Sequence, residues 1–277
     1  MTLEYACIAP HGADLIPQLA TRSTERKFLE TREGTRKLAR EISAEKPDTI
    51  IIASPHNLRL VGKIGIVISE KSTGTLATSP SKSVRLSVRC NRDLALELFQ
   101  RAVDEGLPAV GANYGTSEGP ASDMPMDWGT LVPLWFPLRE KRVKSKVIIV
   151  TPSREIPLIQ NFEFGRLIAK LTKKKRSRFV FVASADQAHA HSKSGPYGFN
   201  RAASKHDKLV CKAIIENRLK SILKFDPDLV EEAKPDSLWQ MAILAGIMEE
   251  VRMVSELISY QVPTYYGMIC ACFHRLR

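Results

Sequence analysis

Two kinds of segment alternate along the chain. Short runs rich in Val, Ile and Phe, with little polar interruption, are followed by longer stretches whose apolar residues recur at the 3.6-residue period of a helix. That alternation predicts an α/β layer architecture. The first strand is expected over Tyr5 to Ala9. A second runs from Thr49 to Ser54, where Ile50-Ile51-Ile52-Ala53 lacks polar alternation and reads as buried on both faces. Between them a polar, helix-forming stretch extends from about Glu25 to Glu45 and stops at Lys46-Pro47-Asp48. Lys63 to Ser69 and Ser83 to Val88 read as more exposed strands on either side of a turn-rich Lys71 to Lys82. Asp93 to Glu105 reads as a helix stopped by Gly106.

Gly111 to Gly129 holds Gly111, Gly115, Gly119, Pro120, Pro125 and Gly129, too much punctuation for a regular element, and is expected to be a long functional loop. Lys146 to Val150 is another buried strand, Asn161 to Lys173 a helix, and Arg178 to Ser184 a third apolar strand that leads into Ala185-Asp186-Gln187-Ala188-His189-Ala190-His191. Helices are then expected over Ala202 to Leu223, Pro227 to Ala233 and Ser237 to Tyr260, and a closing strand over Thr264 to Phe273. No repeat of 20 to 50 residues and no low-complexity linker interrupts the pattern, which favours one domain over two.

Composition narrows the function classes. With 277 residues, 44% of them hydrophobic, the chain can bury a core without disulfide or metal staples. Its 41 Lys and Arg exceed its 30 Asp and Glu by 11, yet aromatic residues make up only 7% and do not interleave with the basic ones, so nucleic acid is not an expected partner. The basic run Lys173-Lys174-Lys175-Arg176 reads as a solvated helix end, where cations suit the helix dipole. No apolar run reaches the roughly 18 to 20 residues of a membrane span. The start, Met-Thr-Leu-Glu, has no basic leader region, so no membrane partner is expected and a cytoplasmic location is. Five scattered cysteines without a C-x-x-C pair agree with a reducing compartment. Cys270-x-Cys272-x-His274 has the look of a metal cluster, but alternation along a strand puts all three on one face, where buried thiols are the expected reading.

Ligands of open α/β sheets bind at the C-terminal ends of the strands, which directs the search for chemistry. Three of the six histidines, His11, His56 and His189, come directly or within a few residues after an expected buried strand. Any one of them alone reads as a hydrogen-bonded strand-end residue. Together they point to metal: neutral imidazoles are the commonest metal ligands, and two of them with one carboxylate leave open positions on Fe(II). The two Pro-His pairs, Pro10-His11 and Pro55-His56, look like equivalent ligand turns, with proline restricting the backbone at the strand exit.

At these positions the chain resembles the class III extradiol ring-cleavage dioxygenases, in particular their catalytic β-type subunit. The matching pieces are Ala9-Pro10-His11-Gly12, Ser54-Pro55-His56-Asn57, Met126-Asp127-Trp128-Gly129-Thr130-Leu131-Val132-Pro133-Leu134, Ser184-Ala185-Asp186-Gln187-Ala188-His189 and Val262-Pro263-Thr264-Tyr265-Tyr266-Gly267, in family order over nearly the whole chain. The resemblance implies a single catalytic domain over residues 1–277, an α/β fold with a mixed central sheet flanked by helices. It also implies a non-haem Fe(II) site, with zinc or another divalent metal as the alternative, in which His11 and His56 are ligands. The third ligand is implied to be a carboxylate before a late helix. Lys234-Pro235-Asp236-Ser237 occupies that place and makes Asp236 the candidate; its competing reading is a plain helix N-cap, and Glu231 and Glu232 are substitutes.

The same resemblance assigns His189 the acid/base role, taking a proton from a catechol hydroxyl and returning it during ring cleavage. His191 is a second catalytic candidate or a loop residue, and Asp186 either orients a ligand imidazole or forms a turn. Tyr266 and Asp127 are candidate substrate contacts, although Tyr265-Tyr266 in a terminal strand also reads as sheet packing. Where family members usually carry Asp-His-Gly, this chain has Asp127-Trp128-Gly129. Trp128 is the remaining substrate-contact candidate: an indole offers a stacking face and one N–H donor but shuttles no proton. The expected activity is extradiol opening of a small aromatic diol by dioxygen, in a homo-oligomer or with a separate small subunit. The alternative is a non-catalytic or zinc-bearing binding protein on the same fold. A hydrolytic metal site has no H-E-x-x-H or G-x-S-x-G motif behind it.

Overall fold

The chain folds in the order β1 (Leu3–Ala9), α1 (Arg22–Lys27), α2 (Leu29–Glu45), β2 (Thr49–Ala53), β3 (Ile64–Val67), β4 (Lys71–Ser79), β5 (Lys82–Arg89), α3 (Arg92–Asp104), β6 (Ala109–Ala112), β7 (Asp123–Pro125), α4 (Trp128–Trp135), β8 (Lys146–Thr151), α5 (Leu158–Lys173), β9 (Phe179–Ser184), α6 (Arg201–Ile215), α7 (Pro227–Ala233), α8 (Leu238–Glu250), β10 (Met253–Gln261) and β11 (Met268–Arg275). The structure is a computed structural model and describes residues 3–276. The leader reading at Met1 and Thr2, and the expected domain end at Arg277, lie outside the described residues. Among the described residues no helix is long and apolar enough to cross a membrane.

Eight strands form one mixed sheet in the order β10-β11-β1-β9-β2-β8-β3-β6, and β5-β4-β7 form a smaller one. The centre, β1-β9-β2-β8, is parallel throughout. β11 runs antiparallel to β1, and β3 antiparallel to β8. Both faces of this centre are covered. Ile51, Ile8 and Phe181 enter the core shared with α3, α5 and α8, whereas Ile50, Ile52, Val180 and Val182 enter the opposite core with α2 and α4. Successive residues point to opposite faces, so a strand buried on both must be apolar at every position, and the Ile50–Ile52 run is. On one of these faces α5 and α8 pack backbone to backbone: a side chain at Gly165 would collide with the Ile243 carbonyl, and one at Gly246 with that of Phe162.

Several expected elements are corrected. The turn-rich Lys71–Lys82 stretch is mostly strand β4, which pairs with β5 along its length. Ile64–Val67 is fully buried rather than exposed, because β6 and β8 flank it. The Glu25–Glu45 helix is two helices, broken where buried Phe28 leaves helical geometry. The helix expected to reach Leu223 stops at Ile215, and Asn217 turns left-handed at φ 53° before a 3-10 segment. The long helix expected over Ser237–Tyr260 ends at Glu250, and the chain then enters β10, drawn into the sheet by pairing with β11. The closing strand starts at Met268, so Tyr265 and Tyr266 belong to the β10–β11 loop and not to a strand. The Gly111–Gly129 stretch is only partly loop, since it contains β7 and the start of α4.

Candidate metal centre and active site

β9 lies between β1 and β2, so the turns that leave these three strands meet at one end of the sheet. His11 follows β1 and His56 follows β2, while Ser184 to His189 leave β9. His11 Nε2 and His56 Nε2 stand 3.2 Å apart. Asp236, arriving from the segment before α8, puts Oδ2 3.1 Å from His56 Nε2 and 3.4 Å from His11 Nε2. Its side chain does not cap α8: the N-cap position is Ser237, and no side chain caps there. Glu231 and Glu232, the substitute carboxylates, are exposed on α7, and Glu231 pairs with Lys234 at the rim.

A hydrogen-bond chain fixes the His11 tautomer. The Ser184 hydroxyl donates to the Gly129 carbonyl, so its oxygen can only accept from His11 Nδ1 at 3.0 Å. Nδ1 therefore carries a proton in every state, and Nε2, turned toward Asp236 and His56, is the nitrogen that a metal would take in place of its proton. Asp186 backs the same residue, accepting the His11 backbone N–H at 3.1 Å and lying 3.3 Å from Nε2. Burial disfavours a charged His11, but Asp186 and then Asp236 outweigh it and raise its pKa to about 9. Burial likewise lifts Asp186 to about 6, whereas the facing His11 and His56 hold Asp236 well below the usual carboxylate range despite its burial. The pocket end is thus electrostatically short of a cation.

A divalent metal fits this deficit. Donors held about 2.1 Å from one ion at right angles are about 3.0 Å apart, close to the three separations of 3.1–3.4 Å seen here. Asp236 Oδ1 is buried without a hydrogen-bond partner, which leaves it free for the same ion. Two imidazoles and one carboxylate are a donor set suited to Fe(II), and also accepted by zinc.

The triad closes one end of a cavity of about 740 Å3. On the cavity wall His189 is stacked on Tyr266, ring centroids 5.3 Å apart, with Tyr197 and Tyr265 each at 5.9 Å. Its Nδ1 is buried and has no partner. Trp128, the first residue of α4, stacks on His56 at 4.3 Å and remains half exposed at the mouth. Arg154 lies over Trp239, guanidinium to ring 4.7 Å, and with Arg59 lines the cavity in positive charge. Tyr197, Arg154 and Trp239 are not marked by the sequence, since each comes from a separate loop or helix start, and Tyr265, although inside the Val262–Gly267 motif, reads there as sheet packing.

Two candidates have side chains that are engaged elsewhere. Asp127 caps α4, accepting from the Thr130 backbone and hydroxyl at 2.9 and 2.7 Å, and accepts from Ser54 at 2.8 Å. It braces the Ser54-Pro55-His56 turn and does not line the cavity. His191 turns away from the cavity, its Nε2 2.8 Å from Asp207 Oδ2. Asp207 is fully buried and also accepts from the Ala188 backbone, His206 and Tyr260. A side chain at Gly267 would strike Asp207, so only glycine lets the β10–β11 loop close over this cluster.

The chain belongs to the family of the catalytic LigB subunit of aromatic ring-opening dioxygenase, whose model matches residues 5–270. It is 25% identical over 261 residues to Protein CA_C1420 of Clostridium acetobutylicum; this covers 94% of the chain and 55% of that relative, so the chain spans about half the relative's length. Among solved structures it is similar in fold to the uncharacterized protein JW3007 from Escherichia coli K12, at TM-score 0.59 and 13% identity, covering 97% of this chain and 99% of that one.

Proposed function

We propose that this chain is a non-haem Fe(II)-dependent extradiol dioxygenase that opens a catechol-type aromatic diol, acting as a single catalytic domain in the cytoplasm. The observation that carries this reading is the triangle of His11 Nε2, His56 Nε2 and Asp236 Oδ2 at the end of a cavity whose wall presents an unpartnered His189. His11, His56 and Asp236 would hold the metal. Fe(II), when bound, supplies a Lewis-acidic, redox-active centre for joining an aromatic diol to dioxygen.

The rest of the work falls to the chain's own side chains. The His189 imidazole takes a proton from a diol hydroxyl and returns it as the ring opens, which gives a muconic semialdehyde type of product. Tyr266 stacked on the imidazole holds that ring in place, and Tyr197 and Tyr265 keep bulk water from it. The Trp128 indole offers an aromatic substrate a face to stack on. Arg154 and Arg59 suit a substrate with an acidic substituent. The family resemblance adds assembly as a homo-oligomer, with or without a small partner subunit.

The test is anaerobic purification, measurement of bound metal, and oxygen uptake with Fe(II) and a panel of catechols. Wild type is expected to consume oxygen. His189→Ala should keep its iron and lose about 10²–10⁴ in rate, the usual worth of a positioned acid/base. His56→Ala should lose both iron and uptake. Tight zinc without uptake across the panel would instead support a binding protein on the same fold, the reading favoured by Trp128, stacked on His56 at the place where the resemblance leads one to expect a histidine.

A further inference from the structure

At the other end of β1 the structure gathers a second set of metal-capable side chains. Cys272 and His274 alternate on β11, and Glu41 reaches them from α2. One ligand atom of each lies within 4.8 Å of the other two. His274 Nε2 is 3.5 Å from Glu41 Oε2, a buried oxygen. We infer that Glu41, Cys272 and His274 form a Zn2+ site that clips α2 to β11, separate from the centre at the strand ends.

A second observation points the same way. Tyr5, fully buried on β1, meets the His274 ring edge-on at 5.2 Å and faces Glu41, so the inner side of the cluster is closed to bulk water. Donors at Zn–N, Zn–O and Zn–S distances on a tetrahedron are about 3.3–3.6 Å apart, and the His274–Glu41 separation lies in that range. In the metal-free protein the Cys272 thiol donates to Glu256 Oε2 at 3.7 Å, while Glu256 Oε1 accepts from Lys37 at 2.6 Å. Cys270, next on the strand, is turned to Thr31 and Thr35.

The chemistry selects the metal. A thiolate, an imidazole and a carboxylate prefer Zn2+ over Mg2+ or Ca2+, and the thiol proton leaves to solvent on binding. His11 lies six residues along from Tyr5, about 20 Å at the rise of a strand, so one ion cannot serve both places.

Co2+ is the probe that separates the two sites, because a thiolate-to-Co2+ charge-transfer band in the near ultraviolet requires a Co–S bond and the strand-end centre has no sulfur. The band is expected in wild type once Co2+ exceeds the one equivalent that the strand-end centre can take, retained in His56→Ala, and removed by Zn2+. Cys272→Ser should abolish it. His274→Ala, at a half-exposed position that the core does not depend on, should weaken Zn2+ competition by at least about tenfold and keeps the test readable if Cys272→Ser fails to fold. No band in wild type with excess Co2+, or a band and a Zn2+ affinity unchanged in His274→Ala, would overturn the assignment.

Discussion

Two clusters in this molecule set two histidines on one aspartate, and they end up chemically opposite. In the first, His11, His56 and Asp236 aim their atoms at one point, and Asp236 Oδ1 is left over. In the second, His191 and His206 approach different oxygens of Asp207, and Tyr260 and the Ala188 N–H take the remaining lone pairs. Only His206 Nε2 stays unpaired there. Residue type does not separate a ligand site from a structural hub; convergence and satisfaction do. The hub still serves the site, because it holds the chain on both sides of His189 through Ala188 and His191.

The contrast can be broken by exchanging its terms. The largest effect is expected for Asp207→Ala: removing the acceptor of a buried polar network should cost about 3–5 kcal/mol in urea unfolding, while metal affinity per folded molecule stays near wild type. A lost metal affinity with unchanged stability would reverse the two roles. Asp236→Ala should act on the metal instead, weakening its binding per folded molecule by more than about 100-fold, as measured by equilibrium dialysis. Ser184→Ala removes the acceptor that fixes the His11 tautomer and should cost about tenfold in metal affinity. The smallest expected effect is on acid stability. Burial pushes the Asp207 carboxyl up, but bonds from His191 and His206 outweigh it and hold its pKa below the ordinary value. Its stabilisation is therefore complete above about pH 4 and fades as pH falls through the folded pKa. Asp207→Asn should flatten the unfolding-versus-pH curve in that acid range; a curve parallel to wild type would show that the network carries no such charge.

The sequence marks His11 and His56 because each follows proline at the exit of an apolar strand, a local signal that needs no tertiary information. Asp236 is only half legible, since an aspartate after proline before a helix is as good a cap as a ligand until the fold shows where its carboxylate points. His191 misleads for a physical reason: two residues from His189 it shares the motif, but the chain turns between them and delivers it to Asp207. Arg154, Tyr197 and Tyr265 converge on the cavity only through the order of the strands, which no window of sequence contains. β10 is hidden for a related reason. Its sequence suits a helix as well as a strand, and its partner β11 decides between them.

The three atoms of the metal triad come from positions 11, 56 and 236, brought side by side only when β9 slots between β1 and β2. No fragment emerging from a ribosome carries them all until most of the chain has been made, and pairing across such separations is among the slowest steps of folding. An ion at this centre would therefore bind only the finished protein and favour it by mass action, so that loading doubles as a check that the sheet has closed in the right order.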